Sequence, residues 1–264
     1  MSFYEYKCDD RVYLKSSLFS AGEVSHGFTS ALGGVSRGAV KGFNLGFRVN
    51  DSEESVRKNY RLLECDLDID LNRTVLAKQT HTDNIRIVTE DDCGKGIVRA
   101  SDIEDTDGLV TNISGIALVV FSADCIPVLF YDPKNRVAAA VHSGWRGTVK
   151  KISARCIEVM SDVYGCSPKN ILAAVGPSIG PCCFEFGSDA PRYFEKKYQT
   201  PKSNGKFMID LWAMISDTIE EAGVLRGNID ISKVCTVCSG GKYYSYRCQK
   251  EHTGRQGAVI MLKG

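Results

Sequence analysis

The sequence predicts an α+β fold in a single domain spanning residues 1–264, and three observations lead there. Two apolar runs, Ile126 to Tyr131 and Arg136 to Val141, flank Asp132-Pro133-Lys134-Asn135, a four-residue turn of the kind that joins antiparallel strands. Other segments carry helix punctuation instead. Asp51 with Glu54 makes a capping box for a helix from about Ser52 to Glu64. Thr148 reads as the N-cap of a helix from Val149 to Tyr164 with Gly165 beyond its end, and Asp210 caps the amphipathic LWAMISDTIEEA, which Gly223 ends. Finally, 264 residues bury a substantial core, and no stretch has the composition of a linker.

Composition narrows the function classes. With 43% hydrophobic and 25% charged residues and a formal net charge of +1, the chain offers no polyanion-binding excess, so no nucleic-acid partner is expected. The start, MSFYEYKCDDRVYLKSS, lacks the apolar core of a signal peptide, and no apolar run reaches membrane-spanning length; the expectation is a cytoplasmic protein without a membrane partner. Eleven cysteines without a secreted-domain spacing then read as reduced thiols, mostly small buried hydrophobes.

In chain order, Ser25 to Thr29 leads into a glycine-rich loop, Leu32 to Gly38, that contains Arg37. Asn44 follows in Phe43-Asn44-Leu45-Gly46, where it either satisfies a loop backbone or contacts a ligand. Thr74 to Gln79 and Asn84 to Thr89 look like two strands joined by Thr80-His81-Thr82-Asp83, which sets His81 at a bend. Asp105-Thr106-Asp107-Gly108 precedes a short strand, Leu109 to Asn112. Ile171 to Val175 reads as a buried strand running into the shaped loop GPSIGPCCFE, with Cys183 and Glu185. Pro191 opens a helix to about Tyr198, and the runs Tyr243 to Tyr246 and Ala258 to Leu262 look like closing strands around Arg255.

The candidate chemistry gathers around the central hairpin. If Tyr131 pairs with Arg136, Cys125 faces His142, and directly opposed side chains have Cβ atoms roughly 4.5 to 5.5 Å apart. That is close enough to share one metal ion or one proton. His81, Cys125 and His142 together fit a catalytic zinc site, which keeps three protein ligands and one open position; the Cys and His serve equally well as a thiolate–imidazolium dyad. Asp124 is placed to orient a histidine. Arg146, beside the expected helix start, suits an anion such as phosphate or a structural ion pair. Cys235 and Cys238 form a lone CxxC whose residues point to opposite faces of an extended segment unless the chain turns there. His26 and His252 read as turn or surface residues.

With these residues assembled, the chain resembles the YfiH family, also called the multicopper polyphenol oxidoreductase or laccase-domain family and treated as purine nucleoside phosphorylases. The resemblance covers roughly residues 25 to 262 and rests on FTSALGGVS, FNLGFRVND, KQTHTDNI, SADCIPVLFYDP, AAAVHSGWRG, AVGPSIGPCCFEF, Cys235-Thr236 and YYSYRCQKEHTGRQGAVIML. It implies that His81, Cys125 and His142 ligate zinc, within a four-layered α/β/β/α sandwich similar to the catalytic domain of a cytotoxic necrotising toxin, commonly as a homodimer. The activities implied are phosphorolysis of adenosine, inosine, guanosine and methylthioadenosine, and deamination of adenosine. Two other chemistries are expected to compete: a metal-free cysteine hydrolase or deamidase using Cys125 and His142, suggested by the toxin likeness, and copper-dependent phenol oxidation, the older family label. Candidate contacts to substrate or phosphate are Arg146, Arg37, Asn44, Cys183, Glu185 and Arg255, with Glu185 and Cys183 also candidates for the general acid. Two departures stand out. The family often carries an arginine before its glycine pair where this chain has Ala31; if that arginine holds an anion, Arg37 or Arg255 must substitute or phosphate affinity falls, and the family's late paired arginines become Arg247-Cys248, leaving one cation where two are usual.

Overall fold

The computed structural model describes residues 3–264 and has the mixed α+β architecture expected, built on several sheets. Along the chain the strands are β1 (Phe3–Cys8), β2 (Arg11–Ser16), β3 (Val24–Thr29), β4 (Thr74–Leu76), β5 (Ile85–Ile87), β6 (Gly108–Thr111), β7 (Ala117–Ser122), β8 (Ile126–Asp132), β9 (Val137–Ser143), β10 (Leu172–Val175), β11 (Glu185–Phe186), β12 (Gln199–Pro201), β13 (Phe207–Ile209), β14 (Ile229–Ile231) and β15 (Gln256–Leu262). The helices are α1 (Glu53–Leu67), α2 (Trp145–Val149), α3 (Ile152–Tyr164), α4 (Leu211–Glu221) and α5 (Tyr246–Gln249). One six-stranded sheet has the order β1-β2-β3-β15-β7-β4 and the other β14-β10-β8-β9-β6-β5, while β11-β13-β12 form a small third sheet.

Period-two alternation sends each central strand into two cores, which is why these strands read as unbroken apolar runs. Leu118 and Val120 of β7 meet Leu129, Tyr131, Ala138 and Ala140 of the other sheet in a shared interior. The opposite face of the first sheet, with Val119 and Val259, is covered by Val56, Tyr60 and Leu63 of α1. The opposite face of the second, with Val128 and Phe130, is covered by Cys156 and Met160 of α3 and Met214 and Ile215 of α4.

Several local expectations are corrected. In the central hairpin Tyr131 pairs with Ala138 and Pro127 with His142, so Cys125 is not opposite His142. The cause lies in the turn. Asp132 Oδ1 accepts from the Lys134 and Asn135 amides, and Arg136 adopts φ +52°, so the turn runs on through Arg136. Pairing slips by one residue on each strand, which preserves the shared face; Cys125 becomes the diagonal neighbour of His142.

The β4 and β5 segments form no hairpin, because they belong to different sheets. Helix α1 is capped by Ser52, whose hydroxyl accepts the Ser55 amide, while Asp51 turns back to Asn44 and Ser36. Thr148 lies inside the short α2, donating to the Gly144 carbonyl, and Lys151 at φ +59° separates α2 from α3. The segment after Pro191 makes two 3-10 turns, Ala190–Arg192 and Lys196–Tyr198. Tyr243 to Tyr246 is no strand, since Ser245 caps α5 by accepting the Cys248 amide. His26 is neither turn nor surface: it is buried in β3 against Phe19 and accepts the Ser16 amide. Gly165 at φ +68° and the Asp210 cap of α4 match the sequence reading.

Candidate metal centre

Two crossings between the sheets build the centre. Strands β4 and β7 are parallel neighbours in the first sheet, so both point their C-terminal ends at the same rim. The chain leaving β4 reaches the second sheet at β5, and the chain leaving β7 reaches it at β8. His81 sits on the first crossing and Cys125 on the second. His142, near the end of β9, meets them from the face that Ala138 and Ala140 turn toward the inter-sheet core.

The donor atoms of His81, Cys125 and His142 all lie within 4.8 Å of one another. Cys125 Sγ is 3.7 Å from His81 Nε2, and the two imidazole rings are 5.0 Å apart at 74°. His81 has φ +65° and Asp124 φ +87°, left-handed conformations that cost L-residues of order 1–3 kcal/mol and need surrounding bonds to persist. Asp107 supplies them for His81: its carboxylate accepts the amides of Thr80, His81 and Thr82 and the Thr82 hydroxyl. The same carboxylate accepts from His142 Nδ1 at 2.7 Å, which leaves Nε2 as the nitrogen that serves Cys125. Asp124, expected to orient a histidine, instead accepts from Thr236 Oγ1, Ser245 Oγ and the Arg247 amide; it fixes the strained turn before Cys125. Gly144 must be glycine for space. A Cβ there would stand 2.5 Å from His81 Cδ2 and 3.3 Å from Cys125 Sγ.

The electrostatics follow from this packing. Burial alone would raise the Cys125 thiol, but the charge and hydrogen bond of His142 and the nearby His81 outweigh it and bring the group down to about 6. Burial opposes a charged His142, yet Cys125 and the Asp107 hydrogen bond lift it to about 9. Asp107, buried but bonded to His142, is held down to about 2. His26, by contrast, is pushed down to about 3 by burial and by the charge of Lys15.

Two imidazoles and a depressed thiol are borderline-soft donors of the kind that hold zinc or copper. A cleft of about 880 Å³ opens over them, lined among others by Phe47, Phe121, Trp145, Arg48, Arg247 and Arg255. Of the residues named as substrate contacts, Arg255 lines this cleft and the others do not. Asn44 is fully buried, donating to Gly46 and Asp51 and accepting the Gly46 and Arg255 amides, so it shapes the loop beneath Arg255. Arg37 lies with Asp51 and Lys58 in a separate shallow depression. Arg146 is exposed and stacks over Trp145 at 4.4 Å, because Trp145 takes the cleft-facing position at the start of α2. Glu185 is turned away on β11, where hydrogen bonds and ion pairs to Lys202 and Lys206 hold it down to about 2, so it is unsuited to be a general acid. Cys183 joins a cysteine cluster behind the cleft wall. Ala31 packs on Ala123 and Tyr244, leaving Arg255 as the cation of the two proposed replacements that reaches the cleft.

A family model described as multi-copper polyphenol oxidoreductase laccase matches residues 25–263. The chain belongs to that family. Among its relatives, the Bacillus subtilis (strain 168) protein named purine nucleoside phosphorylase YlmD is 32% identical over 250 residues, covering 91% of this chain and 89% of that one. A protein named adenosine deaminase RL5, from an unknown prokaryotic organism, is 33% identical over 242 residues, 86% of this chain and 89% of its own length. The crystal structure of the Bacillus licheniformis hypothetical protein YfiH superposes with a TM-score of 0.92 at 30% identity over 99% of both chains. The YfiH and laccase-domain resemblance read from the motifs is therefore the family of the whole chain. Sequence reasoning missed Asp107 and Trp145, and named Arg247 as the one cation left of a late arginine pair without placing it at the site. Asp107 had one signal, its place just before β6, but only the pairing of β6 with β9 puts it beside His142.

Proposed function

We propose that the protein is a zinc-dependent purine nucleoside phosphorylase acting on adenosine, inosine, guanosine and methylthioadenosine, with adenosine deamination as a second activity. One observation carries this reading: three borderline-soft donors converge at the floor of a cleft walled by aromatic rings and rimmed by arginines, a shape and chemistry suited to a purine nucleoside with an anion beside it. The names of the relatives support the same reaction classes. His81, Cys125 and His142 would hold the zinc, which supplies Lewis acidity to substrate or water.

The chain's own groups do the rest. Asp107 fixes the His142 tautomer and the backbone of His81, so the donors stay aimed while substrate enters and leaves. Phe121 and Trp145 offer faces for the base and exclude water, which strengthens every charge contact inside. Arg255 and Arg247 present forked cations for phosphate. Phosphorolysis gains most from holding that anion in line with a sugar carbon that turns positive as the bond to the base breaks. The three hydrophobic interiors and their helical covers support the four-layered α/β/β/α sandwich, and we extend the reading to a cytoplasmic enzyme; no described helix is long and apolar enough to cross a membrane.

The test is incubation of purified protein with inosine or adenosine, with and without phosphate, followed by chromatography. Phosphate-dependent free base is the expected result; neither base nor inosine at high enzyme concentration would overturn the proposal. A second reading has one observation behind it: a thiol at about 6, an imidazole at about 9 and a carboxylate in sequence are also the parts of a cysteine hydrolase. Chelator-resistant activity abolished by alkylating Cys125 would favour that reading. Copper-dependent phenol oxidation has the description of the family model behind it, but neither remaining histidine joins the cluster: His26 is buried and spent on the Ser16 amide and His252 stands exposed outside it.

A further inference from the structure

Behind the cleft wall, two loops bring four thiols together. Cys182 and Cys183 lie in the loop after β10, and Cys235 and Cys238 in the segment after β14. The loops are sewn to each other: Ser178 bridges Cys235, the Ser178 amide donates to the Val234 carbonyl, and the Thr236 amide returns to the Ser178 carbonyl. The chain then turns through a 3-10 segment, Val237–Ser239, with Gly240 at φ +63°. That turn supplies the condition under which a CxxC pair shares one ligand, and it corrects the expectation that Cys235 and Cys238 point apart.

Every pair of the four sulfurs lies within 4.8 Å, with Cys182 to Cys238 at 3.7 Å and Cys183 to Cys238 at 3.3 Å. A tetrahedral ion with Zn–S bonds of about 2.3 Å has sulfur–sulfur edges of about 3.8 Å. Bonded sulfurs would be at about 2.05 Å, and all four cysteines are free. Core packing does not account for the cluster, since Cys182 and Cys238 are exposed. A backbone donor faces the cluster, the Gly180 amide at 3.3 Å from Cys235 Sγ, and the Arg247 guanidinium anchors the loop by donating to the Cys183 carbonyl.

We propose that Cys182, Cys183, Cys235 and Cys238 form a second, closed zinc site that staples the two loops. Four thiolates fill a tetrahedral shell, so this ion is structural and has no position open to substrate. It holds Ile179 and Phe184, which line the cleft, and Thr236, whose hydroxyl donates to Asp124 beside Cys125. The proposal does not depend on which reaction the cleft performs.

The experiment counts metal in protein grown with zinc and purified under a phosphine reductant without chelator. Zinc is measured by plasma emission in the wild type, in Cys182→Ser/Cys238→Ser and in His81→Ala/His142→Ala. Two, one and one zinc ions per chain are expected, and cobalt bound to the histidine variant should give intense sulfur-to-metal charge-transfer absorption. Equal zinc in the wild type and the cysteine variant, no zinc in the histidine variant, iron in place of zinc, or an intact mass lowered by disulfide formation in the metal-free protein would each overturn it. Should the cysteine variant not fold, the histidine variant alone decides.

Discussion

The centre at the sheet rim and the cysteine cluster behind it differ in how their donors are delivered. The first takes one donor each from two sheet crossings and a strand, with a carboxylate behind the His142 ring and a cleft in front. The second takes two adjacent cysteines from one loop and a CxxC from another, and its partners are backbone groups. Donors drawn from rigid strands and from distant parts of the chain leave a face uncovered, where something can react. Four donors drawn from two short loops can fill a tetrahedral shell and leave no position for substrate. Donor number and origin, more than donor type, separate a place for chemistry from a fastening.

Breaking the rim centre should have the largest effect. His142→Ala is expected to lose the metal there and take nucleoside cleavage to background while the cysteine cluster keeps its own ion; metal analysis beside product chromatography checks both. Asp107→Asn leaves the donors in place but removes the charge behind His142 and weakens the cradle around His81. A fall of about 10–100-fold in zinc affinity or activity is expected, measured by chelator competition and by kcat/KM. The four-thiol cluster has no such carboxylate, so its affinity should not move.

Arg255→Gln tests the cleft. Losing a charged hydrogen-bond donor costs about 1.5–3 kcal/mol of anion binding, a tenfold or greater rise in the KM for phosphate with inosine saturating. Next comes a proton count. Between pH 6 and 9 Cys125, lowered to about 6, is already a thiolate, whereas His142, raised to about 9, still carries the proton that metal must displace. Zinc binding at the rim of the Cys182→Ser/Cys238→Ser variant should therefore release about one proton near neutrality, more as pH falls through 6 and fewer as it rises through 9; calorimetry in buffers of different ionisation heat reads it. Arg37→Ala, in its separate depression, should change the KM for phosphate less than twofold, within the small effects usual at such surface positions.

Much of this was legible in the chain itself. His81, Cys125 and His142 were named from spacing and donor chemistry, and the helices with clear punctuation, such as α4 with Asp210 and Gly223, fell where their caps put them. What spacing could not carry was partnership between strands. Thr74 to Gln79 and Asn84 to Thr89 read as a hairpin because a short polar bend between apolar runs is the ordinary sign of one, yet the bend passes between sheets. Asp107 stayed hidden for the same reason, since nothing local links β6 to β9. Cys125 and His142 survived a wrong register because slipping both strands by one residue keeps every side chain on its face. The arginines divided: Arg255 lines the cleft while Arg37 and Arg146 do not, because which of several flexible cations reaches a cleft depends on the turn that precedes each one.

The two crossings that carry His81 and Cys125 have a mechanical consequence. An ion gripped by both would act as a clasp across the layers, added to the hydrogen bonds by which Asp107 already holds the crossing that carries His81. Withdrawing it should loosen amide protection first along β4 and β7, and only later in the helices, so an ion held there would also report whether the two halves of the molecule are shut.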